Sequence, residues 1–208
     1  MEDTKKYNLR EQQAIETKHK ILRAALKHFS THGYHGSSVR NIHKSIDVSG
    51  NLLYHYFPGG KEELLQVISQ DAVCQIEQQL GERKMLFESI KIDDVLETLY
   101  QNILEVFTNH CDEIRLIFIK LEQTDNDAKK EIIEMIQKRE KWLPAFLEKR
   151  AQKGEIKVFD YESATQLIIS IFTHHFMVLL TGIDEGPLSN ESNRKKIFSH
   201  LVSLWKGQ

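Results

Sequence analysis

Apolar residues recur along this chain at spacings of three and four, and that period predicts helices from end to end. Ile21, Leu22, Ala25, Leu26 and Phe29 form one stripe, placing the first helix at residues 17–32 with Gly33 as a left-handed stop. Ser37-Ser38 offers an N-cap for a short helix at 39–46 that buries Val39, Ile42 and Ile46. Asp47-Val48 turns the chain, and Ser49 caps a second short helix at 50–57. Two such helices joined by a tight turn make a helix-turn-helix. Pro58-Gly59-Gly60 interrupts, and a longer helix follows at 61–80 until Gly81 stops it.

Further helices are expected at 93–110, 112–123, 127–153, 160–181 and 190–205, with Pro144 kinking or dividing the third of these. Asp160 is placed to cap the fourth, and Gly182 to end it. No strand pattern, repeat or low-complexity segment intervenes, so the fold class is all-α. Residues 1–14 are polar and unpatterned and read as a flexible arm.

The helix at 50–57 has two unlike faces. At about 100° per residue, Leu53 and Phe57 stack on one side. Asn51 and His55 point the other way, flanked by Leu52, Tyr54 and Tyr56. A helix this short cannot stand alone in water, so neighbours must clamp its apolar side. The polar side then reads as a DNA-recognition surface. Asn51 has the amide for a bidentate contact with adenine, and Leu52 the methyls to meet thymine; the bland alternative is a simple capping or exposed role.

Charge sharpens that picture. Residues 15–61 hold seven basic and two acidic residues, a net of +5, whereas the rest holds 21 basic and 28 acidic, a net of −7. Such asymmetry suits an anionic partner at one end of the molecule, although chance clustering on a solvated surface would look the same. The recognition helix itself carries no Lys or Arg, so the charge must come from Lys18, Lys20, Arg40, Lys44 and Lys61 around it.

Thr17-Lys-His-Lys-Ile-Leu-Arg-Ala-Ala-Leu, His32-Gly-Tyr, Ser37-Ser-Val-Arg-Asn-Ile and Leu53-Tyr-His-Tyr-Phe-Pro-Gly-Gly-Lys-Glu-Glu-Leu occur in that order. Together they resemble the tetracycline-repressor (TetR) family over the N-terminal part of the chain. The resemblance implies three DNA-binding helices within residues 15–65 and a connecting fourth helix. It also implies an effector-binding and dimerisation domain over 66–208. It places Ser38, Tyr54, His55, Tyr56 and Lys61 at the DNA backbone, beside Ser49 and Gly50 at the start of the recognition helix. Three positions depart from the family pattern: His43 replaces a small residue, Asp47 replaces the turn glycine, and the 58–60 link is one residue longer.

The implied partners are double-stranded operator DNA, a second copy of the chain and a small effector, with no cofactor. The wide apolar faces of the last two helices put Leu167, Ile168, Ile171, Leu179, Ile197, Leu201 and Trp205 at a dimer interface; the alternative is burial within one chain. Phe107, Phe118, Met135, Trp142, Phe146, Phe172 and Phe176 are candidates to line a hydrophobic effector pocket, with His174 or His175 as polar anchor; aromatics at helical spacing are more often plain core.

Rival functions leave weaker traces. His28, His32 and His35 have spacing suited to a zinc-responsive site, but no Cys or carboxylate completes the set locally, so no metal is expected. A helical cytosolic enzyme is the remaining class. No glycine-rich phosphate loop, HExxH motif, nucleophile elbow or paired catalytic carboxylates support it. Cys74 and Cys111 give no disulfide framework, and Cys74 reads as a core thiol. No apolar run approaches the roughly 18 residues of a membrane span, and the N-terminus lacks a signal-peptide pattern. A cytoplasmic protein without a membrane partner is expected.

Overall fold

Every regular element among the described residues is helical, as the three-and-four spacing requires. The computed structural model of the chain describes residues 9–82, 87, 89–123, 141–183 and 185–206. The helices are α1 (Leu9–Gly36), α2 (Val39–Ser45), α3 (Gly50–Tyr56), α4 (Gly60–Glu82), α5 (Val95–Asn109), α6 (Cys111–Gln123), α7 (Trp142–Gln152), α8 (Tyr161–Leu180) and α9 (Glu191–Lys206). A short 3-10 turn, Ile92–Asp94, leads into α5.

The chain divides into two units, one of Met1–Gln75 with Asp112–Gln123, the other of Ile76–Cys111 with Thr124–Gln208. The grouping of 112–123 with the N-terminal helices departs from a simple split at residue 65. Leu116, fully buried, accounts for it: it joins the N-terminal core, with Ile119 packed against that core.

In the first unit, Ile21, Ala25 and Phe29 of α1 meet Ile42 of α2, Leu53 of α3, and Leu64, Leu65 and Ile68 of α4. Gly33 breaks α1 with φ 69° and ψ 164°, a backbone region essentially restricted to glycine. The flexible arm expected at 1–14 is corrected in part, because α1 already begins at Leu9. Glu, Gln, Arg and Ala are good helix formers, and this extension is held by propensity rather than by a buried stripe. Two further expectations fail. Gly81 does not stop α4, which runs to Glu82, and Cys74 is exposed rather than a core thiol.

The second unit has a larger core. It combines Val95, Leu96 and Tyr100 of α5 with Leu143, Phe146 and Leu147 of α7. Ile168, Phe172 and Phe176 of α8 and Phe198, Leu201, Val202 and Trp205 of α9 complete it. Pro144 is the third residue of α7, within the first turn, where its missing N–H is no loss. Arg150 is buried, and its guanidinium donates to the Phe87 and Ile90 carbonyls at 2.7 and 2.8 Å and to Glu155 at 2.7 Å. Asp160 caps α8 by accepting from the Ser163 N–H, and Gly182 follows that helix with φ 84°. By length and composition α8, with a mean hydropathy of 1.4, could cross a membrane, which corrects the expectation that no run comes close. Its inward residues Ile168, Phe172, His175 and Phe176 are instead committed to this core.

Candidate nucleic-acid interface

The α2–α3 turn is built from few residues. Ser38 caps α2 by accepting the Asn41 N–H at 3.2 Å, and Ser49 caps α3 by accepting the Leu52 N–H at 3.1 Å. Between them Asp47 adopts φ 51°, the left-handed geometry that a turn glycine would otherwise supply. Leu53 is fully buried and Phe57 nearly so, which leaves Asn51, Leu52, Tyr54 and His55 exposed on the outer side of α3. The two-faced pattern read from the sequence is thus present in three dimensions.

Around α3, Lys18 lies 5.7 Å from the Tyr56 ring, and the His55 and Tyr56 rings meet edge-on at 5.2 Å. Tyr54 packs against Gly60, whose φ of 61° and tight fit (3.2 Å from a would-be Cβ to the Tyr54 ring) both favour glycine. Lys18, Arg40 and Lys44 are exposed. Lys61 is not simply a free surface cation. Its ammonium donates to the Tyr34 and Ser37 carbonyls at 3.0 and 3.1 Å and sits 4.2 Å over the Tyr34 ring. It ties the α1–α2 connection to the start of α4, a role the sequence did not disclose. Below it, the buried Ser37 hydroxyl lies 2.8 and 2.9 Å from the Gly33 and His28 carbonyls.

The three histidines weighed as metal ligands have other neighbours. His28 and His32 stack with ring centroids 5.4 Å apart, and His35 meets Tyr34 edge-on. Among the described residues no group of three His, Cys, Asp or Glu is arranged to hold a metal ion.

The residues named for an effector pocket divide. Phe107, Phe172 and Phe176 form an aromatic cluster with Tyr100 and Phe198, and Trp142 stacks on Phe146 at 5.3 Å. Phe118 is corrected: it is 41% exposed, on α6. Met135 lies outside the described residues. An open groove of about 590 Å³ runs along α9, but Ser192, Lys195, Lys196, Ser199, His200 and Ser203 line it, none of them a named effector residue.

His175 is also corrected as a free polar anchor, because it is fully buried with both ring nitrogens engaged. Its Nδ1 accepts the Leu188 N–H at 3.3 Å, so Nε2 carries the proton and donates to the Tyr100 hydroxyl at 3.1 Å. Gly186 backs onto the ring, and any Cβ there would overlap Nδ1. Burial first, then the Arg194 and His174 charges, hold the His175 pKa below its ordinary value. The unfolded chain therefore binds this proton more readily than the folded one. The resulting stability is present above pH about 6.5 and is lost as pH falls from there toward the folded-state pKa. An NMR titration should find His175 protonating below a free histidine; titration at or above the free value would refute this burial effect.

The dimer-face residues divide as well. Leu167 is 50% exposed, and Ile171, Leu179 and Ile197 are half-buried. Ile168, Leu201 and Trp205 are 2, 8 and 5% exposed and serve their own chain's core, a correction to the interface expected of them. The 3.6-residue period marks an apolar stripe but does not say what covers it.

An all-α chain whose N-terminal unit presents a capped, solvent-facing α3 behind a tight turn belongs to the helix-turn-helix DNA-binding proteins. Comparison with known proteins narrows the class. The family model described as "Bacterial regulatory proteins, tetR family" matches residues 21–68. The HTH-type transcriptional repressor NicS of Pseudomonas putida is 27% identical over 55% of this chain, a match spanning 52% of that repressor's length. The HTH-type transcriptional regulator UidR of Escherichia coli is 28% identical over 87% of this chain and 88% of its own length. The crystal structure of the transcriptional regulator FadR from Bacillus subtilis in complex with stearoyl-CoA superposes with a TM-score of 0.62. It covers 89% of this chain and 98% of that one at 23% identity, a likeness of fold. Residues 21–68 thus match the TetR family model, and the curated proteins similar to this chain are HTH-type transcriptional regulators.

Proposed function

We propose that this chain is a homodimeric repressor that reads operator DNA through α3 and leaves it when a small, largely hydrophobic effector binds the second unit. The observation that carries the DNA-binding role is the exposure of Asn51, Leu52, Tyr54 and His55 on a helix whose Leu53 and Phe57 are buried. Lys18, Arg40 and Lys44 supply phosphate contacts, with Ser38, Ser49, Gly50 and Tyr56 beside them. Leu167, Ile171, Leu179 and Ile197 form the surface for a second copy, which sets two recognition helices about 34 Å apart. The aromatic cluster of the second unit and the stearoyl-CoA held by FadR both favour an acyl-like effector. A cytoplasmic location accords with these roles.

A mobility shift on the DNA upstream of the chain's own coding region tests the proposal, and no shift at low salt would refute it. Lys61 gives a second measurement with two readouts. Lys61→Ala should lower stability by about 1–3 kcal/mol through loss of its two carbonyl contacts. It should also flatten the salt dependence of binding by about one unit if its remaining N–H reaches a phosphate. A destabilised variant with an unchanged salt slope would assign Lys61 to the fold alone.

A further inference from the structure

We propose that His43 is a positioning residue for DNA recognition, a latch that fixes how the chain enters α3. This rests on the DNA-binding role above.

His43 and Val48 are bonded to each other twice across the turn. The Val48 N–H donates to the His43 carbonyl at 3.1 Å, and His43 Nδ1 lies 3.0 Å from the Val48 carbonyl. A carbonyl only accepts, so Nδ1 carries a hydrogen and donates it. The imidazole keeps that hydrogen both in this neutral tautomer and when protonated, so the latch holds in either charge state. This is the reverse of His175, whose Nδ1 must be bare.

The closed loop encloses Asp47, held at φ 51°, and orients the peptide between Val48 and Ser49. Ser49 is the N-cap of α3, so this peptide is the last fixed point before the recognition helix. The His43 ring also lies under the first residue of α3. A Cβ at Gly50 would sit 3.4–3.8 Å from Nε2, Cδ2 and Cε1, in ordinary contact. The His43 ring thus packs directly beneath the first turn of α3. The seven residues of α3 bury one side chain, Leu53, in the core. Phe57, at its C-terminal cap, is the next buried anchor, so the packing holds the middle and far end of α3, and the latch fixes its entrance and with it where Asn51 and Leu52 point.

Two substitutions separate the donor from the bulk. His43→Leu keeps a comparable volume without a donor; His43→Asn keeps an N–H donor at the same δ position. The probe is a duplex enriched by the wild-type chain from a random-sequence pool, compared with an unselected duplex at equal salt. His43→Leu should lose about tenfold of the preference for the selected duplex, the order of one base contact, while binding unselected DNA as before. His43→Asn should stay within about threefold of wild type. In the free protein, nitrogen-resolved NMR should find the His43 ring as the Nδ1–H tautomer or as imidazolium. Full preference in His43→Leu, or an equal loss in His43→Asn, overturns the positioning role. A neutral Nε2–H tautomer overturns the latch whatever the DNA measurements give. A wild-type chain that enriches no sequence overturns the DNA-binding role instead, with the tautomer still reporting on the latch.

Discussion

Arg194→Ala is expected to destabilise the second unit by about 3–5 kcal/mol, enough to leave little of the usual margin of a domain. Arg194 is 6% exposed, and it is fully used. Its Nε and one terminal nitrogen hold both Glu97 oxygens at 3.0 and 2.9 Å, and the other terminal nitrogen donates to the Leu188 carbonyl at 2.9 Å. The guanidinium also lies 4.5 Å over the Tyr100 ring. Truncation leaves a carboxylate and a carbonyl without these partners and loosens the turn pressed against His175. Burial alone would raise the Glu97 pKa, but hydrogen bonds from Arg194 and Gln101 and the nearby positive charges hold it below the ordinary range. A group lowered in this way stabilises the fold above its unfolded pKa and stops doing so as pH falls through the folded one. Chemical denaturation at neutral pH measures the loss. The paired change Glu97→Leu with Arg194→Met should recover most of it, because removing both charges leaves neither stranded. A loss under about 1 kcal/mol for Arg194→Ala would mean that the pair is solvated and structurally idle.

Leu53→Ala should cost about 2–5 kcal/mol and abolish DNA binding with it. Leu53 is the buried side chain by which α3 is held, and a seven-residue helix has no stability of its own. The neighbouring Leu52→Ala is the informative contrast. Leu52 is 38% exposed, so its truncation should change stability by no more than about 0.5 kcal/mol while altering which sequences are preferred. Melting curves beside mobility shifts distinguish the two. Retained DNA binding in a stable Leu53→Ala protein would show that α3 is held by something other than this anchor.

The period of apolar residues made most helices legible, together with the caps at Ser38, Ser49 and Asp160 and the stop at Gly33. The resemblance to the TetR family separately marked Asp47 as standing where a turn glycine is usual. Those features are local, decided by residues within one or two turns. The failures are of other kinds. Leu9 to Ala14 are helical through propensity, which leaves no stripe to read. Ile168, Leu201 and Trp205 lie in stripes that the sequence reveals, yet a stripe does not distinguish a core from an interface. Phe118 shares aromatic character with Phe107 and Phe172 but lies on a helix grouped with the other unit. The exposure of Cys74 was hidden by the same ambiguity about helix faces. The Lys61, His175 and Arg194 partnerships join residues far apart in the chain, and no spacing rule announces such pairings. His43 is an intermediate case: the departure was visible, and its bond to Val48 needed the turn to be built.

The exposed side chains of α3 are amide, aliphatic, phenol and imidazole, while the permanent cations stand on other helices. For a protein built this way, ionic strength and sequence preference separate. Adding salt releases the lysines and arginines from any phosphate backbone to the same degree, whether the bases beneath are right or wrong. Base contacts of the kind proposed for Asn51 and Leu52 would scarcely register the change. Ionic strength would therefore set how much DNA the regulator occupies, while its ranking of one site above another stays nearly constant.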